Sequence, residues 1–243
     1  MRISRLFVPQ SLESGAIVDL EPESAHYVRT VLRLRQGDAL TVFNGEGGEF
    51  PAEIVQIGRD GVSLSLGTRD DRDAESGLQT HLGLGISRGE RMDLGIQKAV
   101  ELGVSAITPL FTERCVVRLS ADKAEQRLRH WKMVARSACE QSGRNRLPEI
   151  HHPESLADWL ERQQGLRFIL HPHGGVGLRE LPAPTGPVCV LSGPEGGVSD
   201  RERHDALRAG FTPLRLGPRI LRTETAALAA LAAIQTLWGD LGG

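Results

Sequence analysis

Short stretches of alternating apolar and polar residues dominate the first seventy positions. Arg5–Val8, Ala39–Phe43, Ala52–Ile57 and Val62–Leu66 read as strands, with Asn44-Gly45, Gly47-Gly48 and Asp60-Gly61 as turns between them. Tyr27, Val31 and Leu34 recur at helical spacing and predict one helix from about Glu23 to Leu34. Residues 1–70 therefore predict a small β-barrel with one helix. The tract Arg69–Gly77 has no large apolar residue, so 71–77 are expected to be a linker.

Beyond it the period alternates. Strands are expected at His81–Ile86, Val104–Leu110, Arg167–Leu170, Val188–Leu191 and Pro213–Leu216. Helices are expected at Arg91–Leu102, Ala121–Ser142, Ser155–Gln164, Asp200–Ala209 and Glu224–Trp238, with Gly103 and Gly210 as helix stops. Strand–helix alternation implies an α/β domain over 78–243, a mostly parallel sheet covered on both faces.

Composition narrows the functional classes. The 243 residues carry 29 basic and 31 acidic side chains, a net charge of −2, which excludes a strongly basic nucleic-acid protein but not a local basic face. Aromatic residues make up only 4% of the chain, too few for an RNA platform of stacked rings. Cys115, Cys139 and Cys189 form no CxxC pair, so neither zinc nor a disulfide framework is implied, and a reducing cytoplasm fits. The first fifteen residues lack the apolar run of a signal peptide.

Three glycine-containing loops each follow a predicted strand: His171–Gly175, Ser192–Gly197 and Gly217–Arg222. Ligands of open parallel sheets bind beyond the carboxyl ends of the strands, and glycines there expose bare backbone groups. Ser199 and Glu202 have capping-box spacing, which pins the second loop between a strand and a helix start. The third loop leads to Thr223, a candidate N-cap, and to Glu224 at the positive end of the helix dipole. Arg219 and Arg222 are candidate anion binders there, and a surface pair of Arg222 with Glu224 is the plainer alternative.

Other signals are weaker. Gly83-x-Gly85-x-x-x-Gly89 misses the dinucleotide fingerprint by one residue, which argues against a nucleotide-dependent oxidoreductase. His151-His152 and His171-x-His173 are better read as solvated loop histidines than as metal ligands. Arg29, Arg33 and Arg35 cluster at the end of the first helix. Arg127, Arg129, His130, Lys132, Arg136, Arg144 and Arg146 run along the long helix and past it. Leu128, Trp131, Ala135 and Ala138 form that helix's apolar stripe, so its charges face outward, as a solvated face or as an RNA phosphate track.

Several longer motifs add a resemblance. Met92-Asp93, Gln97–Val104, Glu140–Ser142 with Arg144, Gly193–Gly197 and above all Leu216–Ala226 resemble signatures of the ribosomal RNA small subunit methyltransferase E family, as do Arg5–Val8 and Val31–Leu34. The resemblance spans nearly the whole chain in order. Arg88 stands where lysine is usual, Val198 where an aromatic is typical, and Cys115 in place of a small polar residue.

The resemblance implies a SPOUT-class methyltransferase domain with a C-terminal trefoil knot, an N-terminal PUA-like barrel and a homodimer. It implies methyl transfer from S-adenosylmethionine to N3 of a uridine in 16S rRNA of the bacterial small subunit, in the cytoplasm and without a metal. An assembly factor that has lost catalysis is the rival reading, against which the intact glycine loops argue. Expected cofactor-binding residues are Leu170, His171, Pro172, Gly174, Ser192, Gly193, Pro194, Glu195, Gly196, Gly197, Leu216, Gly217, Ile220, Leu221 and Thr225. Arg222 and Glu224 are the expected catalytic pair. Arg5, Arg29, Arg33, Arg88, Arg91, Arg144 and Arg219 are the expected RNA contacts.

Overall fold

A computed structural model describes residues 3–59, 61–171 and 174–243. The chain divides into two compact units, one of residues 1–75 with 139–147 and one of 76–138 with 148–243.

In the first unit, β1 (Ser4–Phe7), β2 (Ile17–Asp19), β3 (Ala39–Phe43), β4 (Phe50–Ile57) and β5 (Val62–Leu66) form one sheet in the order β1-β3-β4-β5-β2. β1 runs parallel to β3 and the remaining pairs are antiparallel. Alternation along β5 buries Val62, Leu64 and Leu66 and leaves Ser63 and Ser65 half-buried, the pattern of a sheet with one face on a core. α1 (Pro22–Tyr27) begins with proline at its start and passes into a π-helical turn, Val28–Leu32. That wider turn breaks the expected single helix and rotates its apolar stripe, so Val31 is exposed while Val28 is buried. Arg33 closes the turn in the left-handed region at φ 55°, the only non-glycine residue to do so among those described.

The second unit is built on seven strands. They are β6 (Thr80–Gly85), β7 (Ala106–Phe111), β8 (Glu149–Ile150), β9 (Glu154–Ser155), β10 (Leu166–Leu170), β11 (Val188–Ser192) and β12 (Thr212–Leu214). Their order is β12-β10-β11-β6-β7-β8, with β9 also beside β7, and every pairing is parallel. β11 is buried along its whole length, as a central parallel strand must be. Short β8, β9 and β2 carry too few residues for a periodic signal and were not expected. β12 ends at Leu214, two residues early, because Leu216 belongs to the loop that follows.

Helices α2 (Glu90–Glu101), α3 (Ala121–Ser142), α4 (Leu156–Arg162), α5 (Asp200–Arg208) and α6 (Thr223–Trp238) complete the chain. On α3 the predicted stripe is confirmed: Leu128, Trp131, Ala135 and Ala138 are all buried. The end of α3 and the residues after it, 139–147, pack with the first unit, so the polar tract around residue 71 is not a single clean cut between the units. Among the described residues no helix is long and apolar enough to cross a membrane.

Candidate functional site

At the carboxyl ends of β10, β11 and β12 the three glycine loops surround one cavity of about 360 Å³. Hydrogen bonds between the loops build it. Thr223 Oγ1 donates to the Pro194 carbonyl at 3.0 Å, joining the third loop to the second. Val176 N donates to Pro213 O and Arg215 N donates to Val176 O, both at 3.0 Å, joining the first loop to the segment around β12. Gly175 permits that junction: its φ is +118°, and a Cβ there would stand 2.8 Å from the Pro213 carbonyl carbon. Gly85, at the end of β6, is required for a different reason. A Cβ at Gly85 would lie 2.5 Å from Pro194 Cδ, so the second loop packs on bare backbone.

The capping box expected at Ser199 is present. Ser199 Oγ accepts from Glu202 N at 3.1 Å, and Glu202 Oε2 accepts from Ser199 N at 2.8 Å. Glu202 does more than cap α5: its Oε1 accepts from Glu113 N at 2.7 Å. The neighbouring Arg114 lines the cavity and donates from Nη1 to Gly196 O at 3.3 Å. Glu113 and Arg114 were missed as site-building residues, as was the reach of Glu202 beyond its capping box, because nothing local marks a contact between positions 89 apart.

Glu195 forms part of the wall. Burial pushes its carboxyl up, but the backbone amides of Glu195 and Arg88, the Ser87 hydroxyl and the Arg91 guanidinium outweigh this and hold it below the ordinary carboxylate range. The Arg91 contact is a 3.2 Å ion pair. Leu170, Leu216, Ile220 and Leu221 supply apolar surface, and Glu195 and Asp200 supply carboxylates. Apolar walls, a few converging polar groups and bare glycine backbone are what a nucleoside-sized cofactor with a cationic centre requires.

Of the expected cofactor residues, Leu170, His171, Ser192, Gly193, Pro194, Glu195, Gly196, Gly197, Leu216, Gly217, Ile220 and Leu221 line the cavity. Gly174 and Thr225 are exposed and stand outside its lining, and Pro172 lies outside the described residues. Arg114, Val198, Asp200, Leu214, Arg219, Thr223 and Ala226 complete the wall. The helix start differs by one residue: Arg222 occupies the N-cap, with no side-chain cap bond, because the Thr223 hydroxyl is used on Pro194. Arg222 is exposed on the rim between two lining residues, and Glu224 is half-buried in the first turn of α6. No ion pair joins them among the described residues.

The cations expected to face RNA separate into two groups. Arg29, Arg33, Arg88, Arg91 and Arg219 are exposed. Arg5 and Arg144, by contrast, are engaged with groups of the first unit. The Arg144 side chain is 6% exposed and pairs with Glu75 at 2.5 Å. Arg5 pairs with Glu49 and donates to Asn145 Oδ1, each at 2.5 Å, while its guanidinium sits 5.1 Å from the Phe43 ring centre. These contacts hold 139–147 within the first unit.

Comparison with known proteins agrees with this geometry. A family model described as an RNA methyltransferase domain matches residues 74–235, and one described as an RNA methyltransferase PUA domain matches residues 20–66. Ribosomal RNA small subunit methyltransferase E of Buchnera aphidicola subsp. Schizaphis graminum is 38% identical over 99% of this chain and 98% of its own. A Legionella pneumophila protein solved with the bound cofactor SAM is 41% identical, covers 99% of this chain and 100% of its own, and superposes with a TM-score of 0.96. A Neisseria gonorrhoeae ribosomal RNA small subunit methyltransferase E bound to S-adenosyl methionine is 39% identical over 98% of this chain and 99% of its own, with a TM-score of 0.91. Fold and matches define an RNA methyltransferase of SPOUT fold with an N-terminal PUA domain. The chain belongs to the ribosomal RNA small subunit methyltransferase E family.

Proposed function

We propose that the protein binds S-adenosylmethionine in the three-loop cavity and methylates N3 of a uridine in 16S rRNA of the small subunit. The observation that carries this reading is the cross-bonded cavity with a bare glycine backbone and an ionised Glu195 in its wall. Two relatives at about 40% identity over nearly their whole length have the cofactor bound.

When bound, the cofactor supplies a methyl group already activated on a sulfonium. The chain's own residues bind and align. Gly193, Gly196 and Gly197 offer backbone groups, and Leu216, Ile220 and Leu221 offer the apolar surface for an adenine. Uridine N3 becomes nucleophilic once its proton leaves, with the charge shared by two carbonyl oxygens. Arg222, on the rim, stabilises that anion, and Glu224 takes the proton. Arg29, Arg33, Arg88, Arg91 and Arg219 hold RNA phosphates.

The protein works as a homodimer in this reading. α6 leaves Leu228, Ala229, Ala232 and Ala233 half-buried and Leu237 exposed, an apolar surface that a second copy covers. The test is transfer of labelled methyl from S-adenosylmethionine to unmodified 16S rRNA, run beside calorimetry with the cofactor alone. Cofactor binding together with transfer is expected. No binding would remove the reading, and binding without transfer would favour the assembly-factor alternative.

A further inference from the structure

A second recess is lined by Ile86, Ser87, Arg88 and Gly89, next to Glu195 of the cofactor cavity. It consists of two adjoining cavities of about 260 and 510 Å³ that share Leu119 and Arg127. Val117, Leu119 and the buried Trp131 give it an apolar floor, while Arg88, Arg118 and Arg127 stand exposed around it. Those three guanidinium groups form no ion pair among the described residues, unlike Arg91 beside them, which is held by Glu195. The Arg88 amide donates to Glu195 Oε1 at 3.3 Å, so one hydrogen bond joins a residue of the recess to a residue of the cofactor cavity.

We propose that this recess is a nucleotide subsite: it holds an RNA nucleotide flanking the target uridine, the base against the apolar floor and the phosphate among Arg88, Arg118 and Arg127. The inference rests on the methyltransferase reading and extends it to substrate selection. An apolar floor alone would take any hydrophobic group, and cations alone would follow any phosphate. Both together, one hydrogen bond from the wall of the cofactor cavity, fit one unpaired nucleotide. The cavity of about 510 Å³ falls by itself in the range of small-molecule sites, roughly 300–1,000 Å³.

The test uses the full-length protein with a 16S rRNA transcript, saturating S-adenosylmethionine and a series of KCl concentrations. Arg127→Ala is expected to raise KM for RNA about tenfold, with kcat within about twofold, and to reduce the salt slope by about one. Val117→Phe, which fills the floor, is expected to raise KM similarly without changing the salt slope. Arg118→Glu, at an exposed position that folding tolerates, keeps the test open if the Phe variant is unstable, and its KM should rise further. Cofactor affinity stays at the wild-type value in all three. Wild-type KM in Arg127→Ala and Arg118→Glu would overturn the subsite. A Val117→Phe variant that folds and binds RNA normally would reduce the recess to a phosphate contact and also overturn it. If the wild-type protein transfers no methyl, the enzyme reading fails separately, and RNA affinity of the same variants by fluorescence anisotropy then decides the subsite.

Discussion

Glu202 receives the backbone amide of Glu113 at 2.7 Å, across 89 positions of sequence. Its other carboxylate oxygen caps α5 through Ser199 N, so one buried side chain fixes the loop after β7 and the glycine loop after β11 against each other. Arg114, one residue on, then rests on Gly196.

Glu202→Ala is therefore expected to keep the Ser199 cap but lose its reciprocal bond from Ser199 N, and to leave the Glu113 amide without its partner, together about 1–3 kcal/mol. S-adenosylmethionine affinity should fall with it, because the Gly196 segment loses its backing. Urea unfolding and calorimetry of the variant check both effects. Wild-type stability with wild-type affinity would show that this carboxylate does not organise the loop.

Arg144 gives the contrasting case. Removing it leaves the half-buried Glu75 carboxylate with the Arg146 amide as its remaining partner, so Arg144→Ala should cost about 1–3 kcal/mol. The salt dependence of RNA binding should not change. Arg33→Ala should do the reverse, with little loss of stability and a shallower salt slope. Urea unfolding and filter binding at several KCl concentrations separate the two, and a reduced salt slope in Arg144→Ala would return that residue to the RNA face.

His81 sets a pH response. Burial first, then the neighbouring His151, lower its pKa from 6.5 to about 4, and its Nε2 bonds Thr108 Oγ1 at 2.8 Å. The unfolded chain takes up a proton near pH 6.5 that the folded chain refuses until about pH 4. Stability from the neutral ring is thus complete above pH 6.5, declines as pH falls toward 4, and is lost below that. His81→Gln should flatten this part of the stability–pH curve in urea unfolding between pH 4 and 7. An unchanged slope would show that other groups carry the response.

Arg222 tests the chemistry. Its side chain is exposed at the N-cap of α6, next to Leu221 and Thr223 of the cavity wall. Arg222→Ala should lower the single-turnover methylation rate by about 10² to 10³ at saturating RNA, with cofactor affinity unchanged. Arg222→Lys keeps the charge without the planar fork and should fall between the two. A wild-type rate in the Ala variant would end the catalytic assignment.

The elements with their own periodicity were legible from sequence. α3 appears with the bounds that its apolar stripe predicts, and the Ser199 capping box forms as spaced. What was not legible depends on partners far along the chain. Arg5 and Arg144 look like free cations until Glu49, Asn145 and Glu75 arrive beside them. The π-helical turn after Tyr27 moves Val31 to the surface, because apolar spacing does not encode a change of hydrogen-bond register. In the candidate site, glycines mark the loops and the capping box marks Glu202, but the contacts of Glu202 with Glu113, Arg114 with Gly196 and Gly85 with Pro194 carry no local signature.

Mapping the methylated base tests the central claim most directly. Purified protein, S-adenosylmethionine and unmodified 16S rRNA are incubated, and the product is digested and read by mass spectrometry and primer extension. One added methyl on N3 of a single uridine, blocking its pairing edge and stopping the primer there, is the predicted result. A methyl on ribose or on a base carbon, or none in a preparation that binds the cofactor, would contradict the account.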